Sequence, residues 1–382
     1  MSLDTTTDTT TFEAVDYPPR TYVRTEPASA ERHNSGPRRA LSSTTAEQRF
    51  TRIGCWGGAV ALAWLICGRI LPWSGPLIFL IVTFVCGLAL LAVTTYLTGG
   101  TPEVVDRLAS ATIHAATLVV GFALASTIIF IFVRGMSALP HTNMFTDDMA
   151  GVGPRDPFTR GGVAHAIVGS LIQVGLAVAV TIPLGIGTAI YMTEIGGRFA
   201  KIVRTVVEAM TALPSIVAGL FIYTTLIVGL GVPRSGLAAA MALAVMMLPI
   251  IARASDVVLR VVPGNLREAS LALGASRWRT VWHIVLPTAR PGLATAVILG
   301  VARGIGETSP VLLTSGTAAF MVTDPTGGVM NSLPLFIYST VRSGEPLYIT
   351  RAFAAAAILL SLVLILFISA RLLARPRKGS RS

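Results

Sequence analysis

The most regular feature of the chain is a succession of apolar runs long enough to cross about 30 Å of hydrocarbon as helices, which takes roughly 20 residues each. They fall near 53 to 72, 76 to 98, 109 to 134, 163 to 192, 206 to 231, 235 to 253, 291 to 314 and 352 to 374. Eight spans return both termini to the same side. The first 50 residues break this pattern: they are rich in Thr, Ser, Arg and Pro and have no apolar period. Such a stretch cannot bury enough surface to offset chain entropy, so a disordered tail is expected there. Its opening lacks the basic start and apolar core of a secretory signal.

Composition agrees with a membrane protein. Hydrophobic residues make up 53% of the chain and charged ones 13%, and the mean hydropathy is +0.70, values outside the range of ordinary soluble domains. Cys55, Cys67 and Cys86 all lie within apolar runs with no Cys-x-x-Cys or Cys/His spacing, which excludes a metal-binding or disulfide framework. No cofactor or metal is expected.

A net charge of +11 raises the question of nucleic acid, but its distribution answers it. Placing the N-terminal tail, the link at 99 to 108, the loops at 193 to 205 and 253 to 290, and the C-terminal tail on the cytoplasmic side gathers 22 of the 30 Lys and Arg residues there. This is the positive-inside bias of a polytopic protein. The charge reports topology, with no nucleic-acid partner implied.

One cytoplasmic segment, 265 to 287, is charged and helical in pattern. Asn265 followed by Glu268 has the spacing of a reciprocal N-terminal cap, Gly274 terminates that helix, and Ser276 starts a second one. The small residues Ala269 and Ser270 suit close docking into a partner's groove, with Leu266, Leu271 and Leu273 as apolar anchors and Arg267 and Glu268 at the rim. A plain connecting loop is the alternative reading of the same residues.

A second informative place is the run Gly304-Ile305-Gly306-Glu307-Thr308-Ser309 inside an apolar span. It lacks the third Gly and the preceding strand of a dinucleotide fingerprint, and no G-x-x-x-x-G-K-[ST] loop occurs anywhere in the chain. Arg303 stands one helical turn before Glu307, so the two share a face. An Arg near the bilayer centre costs about 2.5 to 3.5 kcal/mol on insertion scales, so it needs a partner or a purpose. Either the two residues form an ion pair pinning two helices, or Arg303 faces a path and attracts an anion while Glu307 holds it. Gly300 and Gly304 form a GxxxG suited to close helix packing, and Pro183, Pro214 and Pro249 are candidate hinges within spans.

Glu268-Ala269-Ser270, Gly274 and Ile284-x-Leu286-Pro287 together resemble the signature of ABC importer permeases. Ala302-Arg303-Gly304-Ile305-Gly306-Glu307-Thr308-Ser309-Pro310 resembles the corresponding string of the phosphate-specific permeases, PstA-type, with small-for-small changes at Gly304 and Ser309. The resemblance covers roughly 105 to 375. It implies an all-α, polytopic helical bundle: a six-helix type I ABC importer permease core at 101 to 375, preceded by two extra transmembrane helices at 51 to 100, with a tail at 1 to 50 and a basic tail at 376 to 382.

The resemblance further implies a non-catalytic transport subunit for inorganic phosphate in the cytoplasmic membrane. Arg303, Glu307 and Thr308 would lie on the substrate path, and Arg267, Glu268, Ala269, Ser270 and Gly274 on the coupling helix. The partners would be a PstC-type permease subunit, a PstB-type ATPase dimer and a PstS-type phosphate-binding protein. The external loops at 135 to 162 and 315 to 351, with Asp147, Asp148, Arg155 and Asp156, would face the last of these. A permease for sulfate or another oxyanion, and a proton-coupled secondary transporter, stand as alternatives.

Overall fold

The computed structural model describes residues 46–70 and 75–373. The expected tails at 1 to 50 and 376 to 382 fall outside these residues, apart from the last few positions of the first. The described residues are helical, with no strand among them. In chain order the helices are α1 (Ala46–Leu65), α2 (Pro76–Gly99), α3 (Thr101–Gly135), α4 (Asn143–Thr146), α5 (Ala164–Ile190), α6 (Gly197–Thr211), α7 (Ser215–Ile222), α8 (Gly236–Val261), α9 (Gly264–Ala272), α10 (Arg277–Thr280), α11 (Leu286–Ile305), α12 (Ser309–Thr314), α13 (Leu333–Val341) and α14 (Pro346–Leu373). Short π-helical turns at Tyr191–Ile195, Tyr223–Gly229 and Val281–Val285 extend α5, extend α7 and join α10 to α11.

The chain divides into two units, Met1–Ala116 and Thr117–Ser382. In the first, α1 and α2 pair through Trp56, whose ring stacks on Phe84 with centroids 6.1 Å apart. Gly87 makes room for it, since a Cβ there would lie 2.5 Å from the indole. The three cysteines are free, with Cys55 buried.

In the second unit α8 is the axis. It is the most buried of the long apolar helices, and its small residues Ala239, Ala240 and Ala244 let α5 and α11 close in around Leu243, Met247 and Ile251. The approach to α11 is antiparallel and set by glycines. A Cβ at Gly292 would meet Val258 at 2.4 Å, one at Gly300 would meet Ile251 at 2.4 Å, and one at Gly304 would meet Met247 at 2.4 Å. The GxxxG pair thus packs on α8 as its spacing suggests. Two further clusters cap the bundle. One joins Ala189 and Ile190 of α5 to Leu259, Val262, Val281 and Val285 at the elbow end. The other joins Ala138, Met144 and Val163 to Leu333, Phe336 and Ala354 at the loop end.

Among the described residues, seven helices are long and apolar enough to span a membrane. The expected single span at 206 to 231 is instead a bent pair, Gly197–Thr211 and Ser215–Gly229, turned by 107°. The reason is local: Pro214 sits in extended geometry immediately before α7 and cannot continue α6. Pro214 is therefore the corner itself rather than a hinge within a span, whereas Pro183 and Pro249 do lie inside α5 and α8. Both α5 and α8 run from the loop end to the elbow end, so the stretch between them must return across the bundle, and Ser215–Gly229 makes that return. Together with α3, α5, α8, α11 and α14 this gives a six-crossing core.

A second correction concerns the span at 291 to 314. The continuous helical stretch begins earlier, at Arg277, and ends at Ile305. After a break, α12 resumes from Ser309 with Pro310 near its start. At the break the Gly306 N–H donates to the Arg303 carbonyl and the Glu307 N–H to the Gly304 carbonyl. Gly219 of α7 lets α12 lie against it, since a Cβ there would be 2.6 Å from the Pro310 Cα.

Candidate functional site

Two places carry the residues singled out above, and they are built differently. The first is the elbow. Helix α9 starts at Gly264 with Pro263 preceding it and no side-chain cap. Asn265 lies inside the first turn, so the expected Asn265 cap does not form: Pro263 already fixes the entry of the chain. The other end behaves as its Gly dictates. Gly274 has φ +81°, its N–H donates to the Leu271 carbonyl and that of Ala275 to the Ser270 carbonyl, closing the helix in a Schellman arrangement. Ser276 caps α10, its Oγ accepting from the Arg279 N–H at 3.3 Å.

The five elbow residues divide by face. Glu268, Ala269 and Gly274 are exposed, and Leu266, Leu271 and Leu273 stand beside them, Leu273 being 89% exposed. Arg267 and Ser270 turn the other way. Arg267 pairs with Glu194 at 2.9 Å and donates to the carbonyls of Leu259 and Val262. Ser270 is buried, 2.9 Å from the Thr280 hydroxyl. These two positions fasten the elbow to its own chain, so Arg267 is not the rim residue and Ser270 not the groove-fitting residue that the linear pattern suggested. The 3.6-residue period explains the division, because 267 and 270 fall on the face packed beneath α9.

The second place is the break between α11 and α12. The Arg303 guanidinium meets the Glu307 carboxylate at 3.3 Å; the arginine side chain is 58% exposed and the glutamate 13%. The pair links α11 to its own continuation and does not pin two separate helices. Thr308, half-buried, precedes α12, where its carbonyl accepts the Leu312 N–H. Arg303 also lines a cavity of about 290 Å³ with Met210, Thr211, Leu213, Ala218, Met246 and Ile250, at the corner where α6 turns into α7. Because Gly304 packs on Met247, roughly midway along α8, the guanidinium sits near the middle of the bundle, about 15 to 20 Å from either end of that helix. Glu307, Arg303 and Thr308 are thus brought together, whereas the elbow residues lie at one end of the bundle.

The family described as "Binding-protein-dependent transport system inner membrane component" matches residues 181–378, which include both places. The chain belongs to this family. Among its relatives, Phosphate transport system permease protein PstA 1 of Mycobacterium tuberculosis (strain CDC 1551 / Oshkosh) is 40% identical over 234 residues, 61% of this chain and 76% of that protein. Phosphate transport system permease protein PstA of Haemophilus influenzae (strain ATCC 51907 / DSM 11121 / KW20 / Rd) is 38% identical over 224 residues, 58% and 79% of the two chains. Among solved structures, a bacterial alginate ABC transporter in complex with an alginate pentasaccharide-bound periplasmic protein superposes with a TM-score of 0.51. It shares 15% identity and covers 71% of this chain and 96% of that one. It shows that the type I permease fold is shared.

Several ionic contacts were not foreseen from the linear sequence. Asp256 of α8 is buried and pairs with Arg204 of α6 at 3.3 Å and with Arg260 at 3.0 Å, tying the amphipathic α6 to the bundle. Arg351, 1% exposed, donates to the carbonyls of Asp156, Pro157 and Arg160 and holds the loop before α5. Arg260 to Asp256 follows the i, i+4 rule and was legible. The other contacts join residues 52 and some 190 positions apart, beyond any local signal. Of the loop charges, Asp148 accepts from the Ala150 and Met321 N–H groups, and Arg155 pairs with Glu345 at 3.1 Å.

Proposed function

We propose that this chain is the membrane permease subunit of an ATP-driven importer of inorganic phosphate and that Arg303 is the substrate-facing cation of its path. The observation that carries this reading is the Arg303 guanidinium itself, held at mid-depth beside a cavity and restrained by a single carboxylate. A planar guanidinium suits bidentate contact with phosphate oxygens. Glu307 keeps it oriented and yields it when an anion competes. Thr308 adds a hydroxyl at the same break. The names of the relatives supply the substrate, and the chain spans about three quarters of their length.

Half of the path belongs to this subunit and half to a PstC-type partner. Energy comes from a PstB-type ATPase dimer docked on the exposed face of α9, where Glu268, Ala269 and Gly274 meet it, while a PstS-type binding protein delivers phosphate to the loop end. The positive-inside bias puts the elbow and both termini in the cytoplasm, and counting Ser215–Gly229 as a crossing gives the even number of spans this requires. The permease domain is the 101 to 375 segment, and the two helices before it are an addition to that core. Uptake of radiolabelled phosphate and sulfate by cells carrying the wild-type chain or Arg303→Ala tests the reading. Phosphate uptake is lost in the variant and sulfate uptake is absent in both; normal phosphate uptake by the variant overturns it.

A further inference from the structure

The two extra helices leave a cavity that the transport reading does not use. It measures about 160 Å³ and is lined by Arg52 and Trp56 of α1, Leu91 of α2, and Arg107, Ser110 and His114 of α3, all within the first unit. Arg107 is 17% exposed and pairs with Glu103 one turn earlier. Arg52 makes no ion pair among the described residues. The His114 Nδ1 meets the Ser110 carbonyl at 2.7 Å, an N–H donating to it, and Nε2 has no hydrogen-bond partner among the described residues. Two guanidinium groups against one carboxylate leave a single positive charge, with hydroxyl, imidazole and indole around it. That charge matches a phosphodiester, which carries one negative charge, better than free phosphate, which is partly dianionic at neutral pH.

The depth of the cavity identifies the source of the diester. From Ala115 to Val133 helix α3 has no charged residue, and those 19 positions are enough for about 29 Å of hydrocarbon. Because the uncharged run already opens at Leu108, Arg107 stands at the boundary between headgroups and acyl chains, and His114 lies about two helical turns further in. Trp56, wedged over Gly87, has the place of an interfacial anchor. We infer that Arg52, Arg107 and His114 form a headgroup site for an anionic phospholipid on the N-terminal unit, the phosphodiester lying against Arg52 and Arg107. Basic pockets between transmembrane helices recognise anionic headgroups in this way.

Native mass spectrometry of the intact complex tests it with three additions: phosphatidylglycerol, phosphatidylcholine and excess inorganic phosphate. Phosphatidylglycerol is retained over phosphatidylcholine, and inorganic phosphate does not displace it. Each unit of positive charge is worth about fivefold in retention, so Arg52→Gln lowers it about fivefold and Arg52→Glu about 25-fold, while Arg52→Lys keeps it. The same spectra report whether each variant is still assembled, and the exposed position of Arg52 makes its substitution tolerable to the fold. Equal retention of the two lipids, undiminished phosphatidylglycerol on assembled Arg52→Glu, or displacement by inorganic phosphate, which marks a free-ion site, each overturns the proposal.

Discussion

The elbow and the break at Arg303 use the same ingredients, an arginine, a glutamate and a glycine-terminated helix, to opposite ends. At the elbow Arg267 is locked by a carboxylate and two carbonyls, and Ser270 and Thr280 bind α9 to α10. At the break Arg303 has one carboxylate, an exposed side chain and an open cavity. A fully satisfied polar network is rigid and a half-satisfied one can be exchanged. The contrast separates a part fastened to its own chain from a part free to change partners, which is the division of roles proposed above: the elbow to carry displacement into α8 and α11, and the break to answer a ligand.

The sharpest way to break the comparison is Arg303→Ala. Removing a charge-assisted hydrogen bond to substrate costs about 1.5 to 3 kcal/mol, so phosphate uptake falls roughly 10- to 100-fold while the subunit still co-purifies with its partners. Uptake above half of wild type would show that the exchangeable arginine is elsewhere. Next in size is Glu268→Lys on the open face of α9. With the fold intact, the variant loses phosphate-stimulated ATP hydrolysis or releases the ATPase on purification. A variant that couples normally would place the docking surface outside α9.

These two residues were legible from sequence because each belongs to a short-range pattern. Arg303 and Glu307 stand one turn apart in an otherwise apolar run, and Glu268 lies in a fixed string of small residues. The six-crossing core was equally legible, since a span is written as a local run of about 20 apolar residues. The corner at Pro214 and the break at Gly306 were not, because hydropathy averages over a window wider than the few residues that turn the chain. Nor was the inward turn of Arg267: its partner Glu194 is 73 residues away, and only the parallel course of α5 and α8, whose C-terminal ends meet at the elbow end, brings them together.

Arg267→Ala tests the rigid half. It leaves Glu194 and two carbonyls without their donor, a cost of about 2 to 3 kcal/mol, read as a lower thermal unfolding midpoint of the purified complex. The loss is larger than for Arg303→Ala, which frees an exposed side chain with one contact. Equal midpoints for the two variants would erase the distinction between a locked and an exchangeable arginine. Ser270→Ala is smaller, about 1 kcal/mol, for the loss of one buried hydroxyl pair.

The finest test separates two caps that look alike on paper. Ser276 and Asn265 each precede a helical run, but only Ser276 has an oxygen on a backbone donor, the Arg279 N–H, because Pro263 has displaced Asn265 into the first turn of α9. Replacing an N-cap by alanine costs about 0.5 to 2 kcal/mol. Ser276→Ala therefore lowers the unfolding midpoint and Asn265→Ala leaves it in place, since alanine is also the better residue inside a helix. If Asn265→Ala were the costlier of the two, Asn265 would be the cap and α9 would begin at Leu266, two residues later than Gly264, and Pro263 would no longer set the entry of the elbow.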